Sequence, residues 1–162
     1  MTGTPGRPDF IRHYRDIERS FGEGELQSIG APFGRVLGLA RIGVNHDVLP
    51  PGHRTSYPHA HSEQEEFVFV IEGHPDAWID GVLHPLGPGD GIALPAGTGI
   101  AHSILNNTGA PVHLLVVGER RPEDRVIYPI NPERNDRPNA WQDAPKHPLG
   151  PHDGRPKPRN GA

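Results

Sequence analysis

Four side chains in two short stretches of this chain have the types and spacing of metal ligands. His59, His61 and Glu66 lie in PHAHSEQEEFVFVIEG, and His102 lies in GDGIALPAGTGIAHSILNN. Three imidazoles and one carboxylate suit a divalent transition metal, namely Fe(II), Mn(II), Ni(II), Co(II) or Zn(II). An ion with five or six ligands would keep open positions for water and a substrate. The pattern therefore predicts a metal site that a small molecule can reach.

The spacing of these residues also indicates how the backbone must present them. His59 and His61 are two positions apart, so an extended strand would direct both imidazoles to one side, with Cα atoms ~7 Å apart. Glu66 can face the pair if residues 62–65 turn and Glu66 begins the returning strand. His102 comes much later, so its strand must close over the others. A closed barrel would provide that geometry.

Taken singly, each of these residues could also be an ordinary surface or packing residue that binds no metal. An isolated H-x-H pair on a strand is usually solvated or packed, and Glu66 is one of several acids in its stretch. Glu63 and Glu65 are interpreted as surface acids. The metal-site hypothesis depends on the joint pattern of the two stretches.

Between Gly34 and Gly118 the chain alternates short apolar runs with tight turns, which predicts an all-β sandwich or barrel. Asp80-Gly81 is a typical two-residue hairpin turn. The run from Glu66 to Glu72 is rich in aromatic and β-branched residues, and we expect it to be buried on both faces. Further strands are predicted at 36–42, 44–49, 78–79, 82–83, 92–94, 101–105 and 112–117.

The regions on either side of this barrel, 34–118, have different patterns. In the N-terminal segment, 1–33, apolar residues recur at helical spacing, which predicts a short helix over 9–21. The C-terminal arm, 119–162, contains nine of the chain's twenty prolines between Pro122 and Pro158. One short strand is predicted at 125–128. The arm has too few apolar residues for a core of its own.

We therefore expect the C-terminal arm to be ordered by docking. Trp141 and Leu149 are the predicted anchors, either on the barrel or on a partner subunit. An arm of this length could cross to a neighbouring copy, so a homodimer is the working hypothesis for assembly.

Composition narrows the function classes. The net charge is −4 and the pI is about 6.2, without a basic patch, which argues against a nucleic-acid partner. The chain has no cysteine, so disulfides, thiolate ligands and thiol nucleophiles are excluded. No apolar run is long enough to cross a membrane, and the first residues lack the apolar core of a secretory signal. A cytoplasmic location is expected.

The two stretches resemble the two signature motifs of the cupin superfamily, in the form found in small single-domain bacterial cupins. The first motif matches Gly52, His59-Ala60-His61, Glu66 and Gly73, and its six-residue step to the last glycine selects Glu66 over Glu65. The second motif matches Gly89, Pro95-Ala96-Gly97, His102 and Asn106. Here four residues separate Gly97 from His102 where the motif has two, which we interpret as a widened loop at 98–100.

This resemblance implies a double-stranded β-helix (jelly-roll) barrel with a metal inside and one open mouth. It favours a metal-dependent enzyme that acts on a small polar metabolite, with dioxygenase-like chemistry preferred by analogy. A metal-dependent isomerase or lyase of a sugar or acid, and a non-catalytic binding protein, remain alternatives. Side chains that could also line the cavity, although packing or rim roles are open for each, are Arg41, His46, Tyr57 and His113.

Overall fold

The fold is built almost entirely from short strands. The computed structural model describes residues 6–158, so the outer ends of the predicted N-terminal segment and arm, 1–5 and 159–162, lie outside the described residues. The strands are β1 (Arg19–Phe21), β2 (Ser28–Ala31), β3 (Ile42–Leu49), β4 (Ala60–His61), β5 (Glu66–Glu72), β6 (Asp76–Ile79), β7 (Val82–Pro85), β8 (Gly91–Leu94), β9 (His102–Leu105), β10 (Val112–Glu119) and β11 (Val126–Ile127).

These strands form two facing sheets and a short ribbon. The larger sheet has the order β1-β2-β3-β10-β5-β8, the smaller has the order β7-β6-β9, and β11 pairs with β4. One apolar core contains Leu49, Val70 and Leu114 from the larger sheet with Ala77 and Ile104 from the smaller. Side chains from both sheets therefore meet between them, as in a β-sandwich that closes into a barrel. The prediction of an all-β double-stranded β-helix is confirmed.

Strand β5 has the predicted bounds, but the expectation that both of its faces are buried is wrong. Val68 and Val70 point into the core, whereas Phe67 and Ile71 are exposed. Alternate residues of a strand face opposite sides of the sheet, and an antiparallel sheet can leave one side to solvent. Phe67 and Ile71 therefore lie on the solvent-facing side of the larger sheet.

The predicted helix over 9–21 is also wrong. The segment contains a 3-10 turn at Tyr14–Asp16 and then β1, which pairs antiparallel with β2 at the edge of the larger sheet. Phe10 is 71% exposed, so the helical spacing of apolar residues does not correspond to a buried stripe. At Arg19–Phe21, pairing with the sheet edge gives the backbone hydrogen-bond partners without an amphipathic face.

The predicted strand at 36–42 is replaced by a one-turn helix, α1 (Phe33–Val36), followed by a loop. Gly34 of α1 packs directly on β3, where an added Cβ would lie 2.7 Å from the Val44 nitrogen. That close approach requires a glycine and fixes the chain as it enters β3. The regular strand begins at Ile42.

The C-terminal arm docks on its own barrel. Trp141 is 5% exposed and lies in a second apolar cluster with Trp78 and Leu105, which confirms it as an anchor. Leu149 is 44% exposed, so it is not an anchor on this barrel, and its role as an anchor on a partner subunit stays a prediction. The backbone of Gly150 instead meets the β6–β7 turn, where its N–H donates to the Asp80 carbonyl at 2.7 Å. Among residues 6–158, no helix has the length and apolar character needed to cross a membrane.

Candidate metal centre

Three strands bring the predicted ligands to one level of the barrel. His59 forms an antiparallel bridge with His102, and each backbone N–H donates to the other's carbonyl, at 3.2 and 2.9 Å. His61 ends β4, Glu66 begins β5 and His102 begins β9. The turn at 62–65 reverses the chain between His61 and Glu66, as the spacing predicts. The four side chains therefore converge from neighbouring strand ends.

The polar atoms of this cluster lie close to the separations expected of ligands around one ion, with the His59–Glu66 pair the widest. The Nε2 atoms of His59 and His61 are 3.0 Å apart. The Oε2 atom of Glu66 is 3.9 Å from Nε2 of His59, 3.6 Å from that of His61 and 2.9 Å from that of His102. Ligands with bonds of ~2.1 Å to a tetrahedral or octahedral ion lie ~3.0–3.4 Å apart.

The hydrogen bonds on the far side of the rings show why a cation fits between His59 and His61. Nδ1 of His59 lies 2.8 Å from the Tyr57 carbonyl, and Nδ1 of His61 lies 2.6 Å from the carboxylate of Asp124. Both partners are acceptors, so each neutral ring carries its proton on Nδ1. Two Nε2 lone pairs then face each other at 3.0 Å without a proton between them. A bound cation would satisfy both lone pairs.

Electrostatics favour the metal-binding protonation states of His59 and Glu66. Burial lowers the pKa of His59, and the imidazoles of His102 and His61 lower it further. Burial opposes ionisation of Glu66, but its hydrogen bond with His102 and the surrounding imidazoles hold its pKa below the usual range. Neutral imidazole and ionised carboxylate are the forms that bind metals.

His59, His61 and Glu66 form the tighter part of the cluster, with one potential ligand atom from each lying within 4.8 Å of the others. His102 lies beside them, and its Nε2 contacts the Glu66 carboxylate. The ring centroid of His102 is 4.8 Å from that of His59 and 6.3 Å from that of His61. His102 is therefore adjacent to the centre and closer to His59 than to His61.

The cavities that adjoin the candidate ligands include an apolar one and a polar one. A cavity of about 260 Å³ touches His61 and His102, and its remaining wall is largely apolar, with Ile79, Ile92 and Ile100. A second cavity of about 360 Å³ reaches Glu66 and is polar. Gln64 lines both cavities, and its amide N–H donates to Oε1 of Glu66 at 3.4 Å.

The second cavity carries positively charged side chains. Arg19 comes from β1, Arg35 from α1, and Arg120 from the residue that follows β10. All three are exposed, and Glu119 is the acid that accompanies Glu66 in this lining. An anion that reached the cluster from this side would pass the guanidinium groups.

The widened loop at 98–100 borders the first cavity. Thr98 and Ile100 line it, whereas Gly99 lies under the arm, where an added Cβ would be 2.5 Å from the Pro145 carbonyl oxygen. Gly97 and Gly99 have backbone φ angles of 76° and 75°, which residues other than glycine rarely adopt. The strand that carries His102 keeps its place in the smaller sheet.

Of the other residues singled out from the sequence, His46 and His113 lie away from both cavities. Their rings face each other, with centroids 5.3 Å apart. His46 pairs in register with Leu115 and therefore lies on the face opposite to the core residues Leu49 and Leu114. They pack on the outside of the larger sheet, with Tyr14 over His46.

Tyr57 and Arg41 likewise stand outside the two cavities beside the ligands. The Tyr57 ring contacts the guanidinium groups of Arg54 and Arg134, whose central carbons lie 4.3 and 3.4 Å from its centroid. Arg41 is exposed at the rim of a separate cleft that also includes Arg120 and Arg121. Tyr57 nevertheless contributes to the centre through its carbonyl, which orients His59.

Sequence reasoning missed Gln64, Asp124 and Tyr128 as neighbours of the centre. Asp124 contacts His61, and the Tyr128 ring stacks on His59. The predicted strand at 125–128 was the available signal, because both residues flank β11. The sequence did not indicate that this strand pairs with β4.

Comparison with known proteins assigns the family. The cupin domain model matches residues 45–118. A sugar phosphate isomerase of the cupin superfamily from Silicibacter pomeroyi is 38% identical and covers 69% of this chain and 74% of that chain, with a TM-score of 0.61. No curated protein matches the sequence significantly.

More distant structures show the same fold. A protein from Acidithiobacillus ferrooxidans is 24% identical and covers 78% of this chain and 83% of that chain, with a TM-score of 0.70. The polyketide cyclase RemF from Streptomyces resistomycificus is 23% identical and covers 73% of this chain and 85% of that chain, with a TM-score of 0.59. An isomerase and a cyclase among these relatives show that the barrel does not define one reaction. The domain match and the 38% identical relative together establish that this chain belongs to the cupin superfamily.

Proposed function

We propose that this cupin is a metal-dependent enzyme that acts on a small anionic metabolite. The observation that carries the proposal is the pair of facing Nε2 atoms of His59 and His61, 3.0 Å apart and beside the Glu66 carboxylate. His59, His61 and Glu66 would hold the ion, with His102 as the fourth ligand. When bound, a divalent transition metal supplies Lewis acidity and, as Fe(II), redox chemistry at its open coordination positions.

The residues around the centre support a substrate with one charged and one apolar part. Arg19, Arg35 and Arg120 on the polar side suit a carboxylate or phosphate, because guanidinium groups bind both through paired hydrogen bonds. Ile79, Ile92 and Ile100 on the other side suit a carbon skeleton and exclude water. Gln64, between the two cavities, can orient the part of the substrate nearest Glu66.

Oxygen-dependent chemistry is our first proposal for the reaction. The titratable groups that line the apolar cavity are the proposed ligands His61 and His102. Isomerisation by proton transfer needs a free acid or base near the reacting carbon. Oxidative cleavage depends on the metal and does not require such a free acid or base. An apolar cavity wall also suits dioxygen, which is itself apolar.

Sugar phosphate isomerisation is the second proposal, favoured by the name of the 38% identical relative from Silicibacter pomeroyi. The arginines of the polar cavity would then bind a phosphate, and Glu119 at its edge is the acid available for proton transfer. The two proposals share the metal and the anion but differ in their need for oxygen.

A reconstitution experiment tests the function and separates the two reactions. The chelated protein would be loaded in turn with Fe(II), Mn(II), Ni(II), Co(II) and Zn(II) and offered small carboxylic acids and sugar phosphates. Oxygen uptake that requires Fe(II) supports the first proposal, and turnover under nitrogen supports the second. Full activity of the metal-free protein would refute both.

A matched arginine pair tests the anion assignment. Arg35→Gln should raise KM for an anionic substrate about tenfold or more, with a smaller change in kcat, since it removes charge from the approach side. Arg155→Gln changes an exposed arginine of the arm and should leave KM unaltered. Equal KM values in wild type and Arg35→Gln would exclude Arg35 from substrate binding.

A further inference from the structure

The carboxylate of Asp124 is placed against the metal-distal nitrogen of His61. Oδ2 of Asp124 lies 2.6 Å from Nδ1 of His61, a short contact, and charge-assisted hydrogen bonds are shorter than neutral ones. The Asp124 side chain is only 9% exposed. Nδ1 of His59 faces the Tyr57 carbonyl and that of His102 faces the Ile100 carbonyl, so Asp124 gives His61 a charged partner where the others have neutral ones.

The second oxygen of Asp124 holds the turn that leads to Glu66. Oδ1 accepts hydrogen bonds from the backbone N–H groups of Glu63 and Gln64, at 2.9 and 3.1 Å. These residues connect His61 to Glu66. The Asp124 carboxylate therefore holds both the ring of His61 and the backbone that leads to Glu66.

The backbone around Asp124 is itself held against β4. The Ser62 N–H donates to the Arg125 carbonyl at 2.9 Å, and the Arg125 N–H donates to Oγ of Ser62 at 2.9 Å. In β11, Val126 pairs with His61 and Ile127 with Ala60. Asp124 thus reaches the site from the C-terminal arm on a backbone that is paired with the ligand strand.

We propose that Asp124 is a positioning residue for the metal centre, and that the C-terminal arm is part of that centre because it supplies this residue. The proposal rests on the metal site of the proposed function. Asp124 holds His61 in the tautomer that directs the Nε2 lone pair at the ion and makes the ring a stronger donor. Partners of this kind typically contribute 10–100-fold to metal affinity.

A purely structural role for Asp124 would have different consequences. The carboxylate could serve only to hold the turn at 62–65. An asparagine would then preserve the turn and the metal affinity, because its amide oxygen can still accept hydrogen bonds from the backbone N–H groups of Glu63 and Gln64. A charged partner for His61, in contrast, is lost in Asp124→Asn even when the fold is intact. The two roles therefore separate in this one variant.

The experiment compares the metal affinity and stability of wild type, Asp124→Asn, Asp124→Ala and Asp143→Asn. Co(II) and Zn(II) dissociation constants would be measured by chelator competition, Co(II) absorption spectra recorded, and unfolding of the metal-free proteins followed by circular dichroism. Asp143 is the control, since it lies on the same arm and pairs with Arg125 but is 75% exposed.

We expect Asp124→Asn to weaken metal binding about tenfold or more and to shift the Co(II) spectrum, while the metal-free protein keeps a Tm close to that of wild type. Asp124→Ala should weaken binding by at least as much, and Asp143→Asn should match wild type. Unchanged dissociation constants and Co(II) spectra in a folded Asp124→Asn protein would overturn the positioning role alone. Failure of wild type to bind any of these metals would overturn both the site and the role.

Discussion

The ring of Tyr128 stacks on the imidazole of His59, with 5.8 Å between ring centroids and 28° between ring planes. Tyr128 directly follows β11, so the arm touches the centre at His59 as well as at His61. A stacked pair of this kind contributes about 0.5–1.5 kcal/mol beyond the area it buries. The arm therefore packs against two neighbouring candidate ligands.

Replacing His59 should separate metal binding from folding. His59→Ala removes one of the two facing Nε2 atoms and should abolish most metal binding, while the barrel core remains intact. The metal content of the purified protein and its circular dichroism spectrum would check this. His84→Ala, an exposed histidine of β7, should retain wild-type metal content. Stoichiometric metal in His59→Ala would refute the ligand assignment.

Asp47 should make stability depend on pH. Burial raises its pKa from 3.8 to about 6, so the folded chain holds this proton more tightly than the unfolded chain. This contribution to stability is complete below about pH 4 and is lost as the pH rises to about 6. Asp47→Asn removes the ionisation and should be more stable than wild type at pH 7 by up to about 3 kcal/mol.

Urea unfolding at pH 4 and pH 7 checks the Asp47 prediction. The free energy of unfolding of Asp47→Asn relative to wild type should increase from pH 4 to pH 7. The same difference for Asp143→Asn should stay constant. A difference that is the same at both pH values would contradict a raised pKa for Asp47.

Trp141 should carry most of the arm's docking energy. Its side chain fills the second apolar cluster, so Trp141→Ala should lower the free energy of unfolding by about 3–5 kcal/mol. Leu149→Ala, at an exposed position of the same arm, should cost less than about 1 kcal/mol. Chemical denaturation of both variants makes the comparison. Equal losses would show that the arm docks by another contact.

Asn106 should be required for the turn after β9. Its fully buried amide donates to the carbonyls of Leu49 and Ala110, and its oxygen accepts from Thr108. Asn106→Ala leaves these buried groups unpaired and should destabilise the fold by about 1–3 kcal/mol or more. The exposed Asn139 is a suitable control in thermal unfolding. An unchanged Tm in Asn106→Ala would exclude this role.

The parts of the fold that local signals specify could be predicted from the sequence. The β-branched run gives the bounds of β5, and Asp80-Gly81 gives the hairpin between β6 and β7. Gly97 and Gly99 give the positive φ angles at and just before the loop at 98–100. In each case a few neighbouring residues determine the backbone. The position of Glu66 at the start of β5 follows from the same kind of signal.

Features that depend on distant partners could not be predicted in this way. The segment 9–21 has helical spacing, but pairing between β1 and β2 determines its structure. His46 and His113 have suitable side chains, yet the register of β3 and β10 turns them outward. The predicted strand at 125–128 indicates structure next to Asp124, but its role arises from contacts with residues about sixty positions earlier, which no local pattern specifies.

The hydrogen bond from His61 to Asp124 has a consequence for the lifetime of the protein. Metal binding and docking of the C-terminal arm share this contact, so the two equilibria are linked. If the docked arm increases metal affinity by some factor, metal binding must strengthen docking of the arm by the same factor. The linker at 120–123 is exposed, and proteases cut such segments most readily when the chain beyond them detaches. Metal-free chains should then be trimmed faster than loaded ones. If the proposed metal site is correct, metal supply would also set how long each copy of the protein lasts.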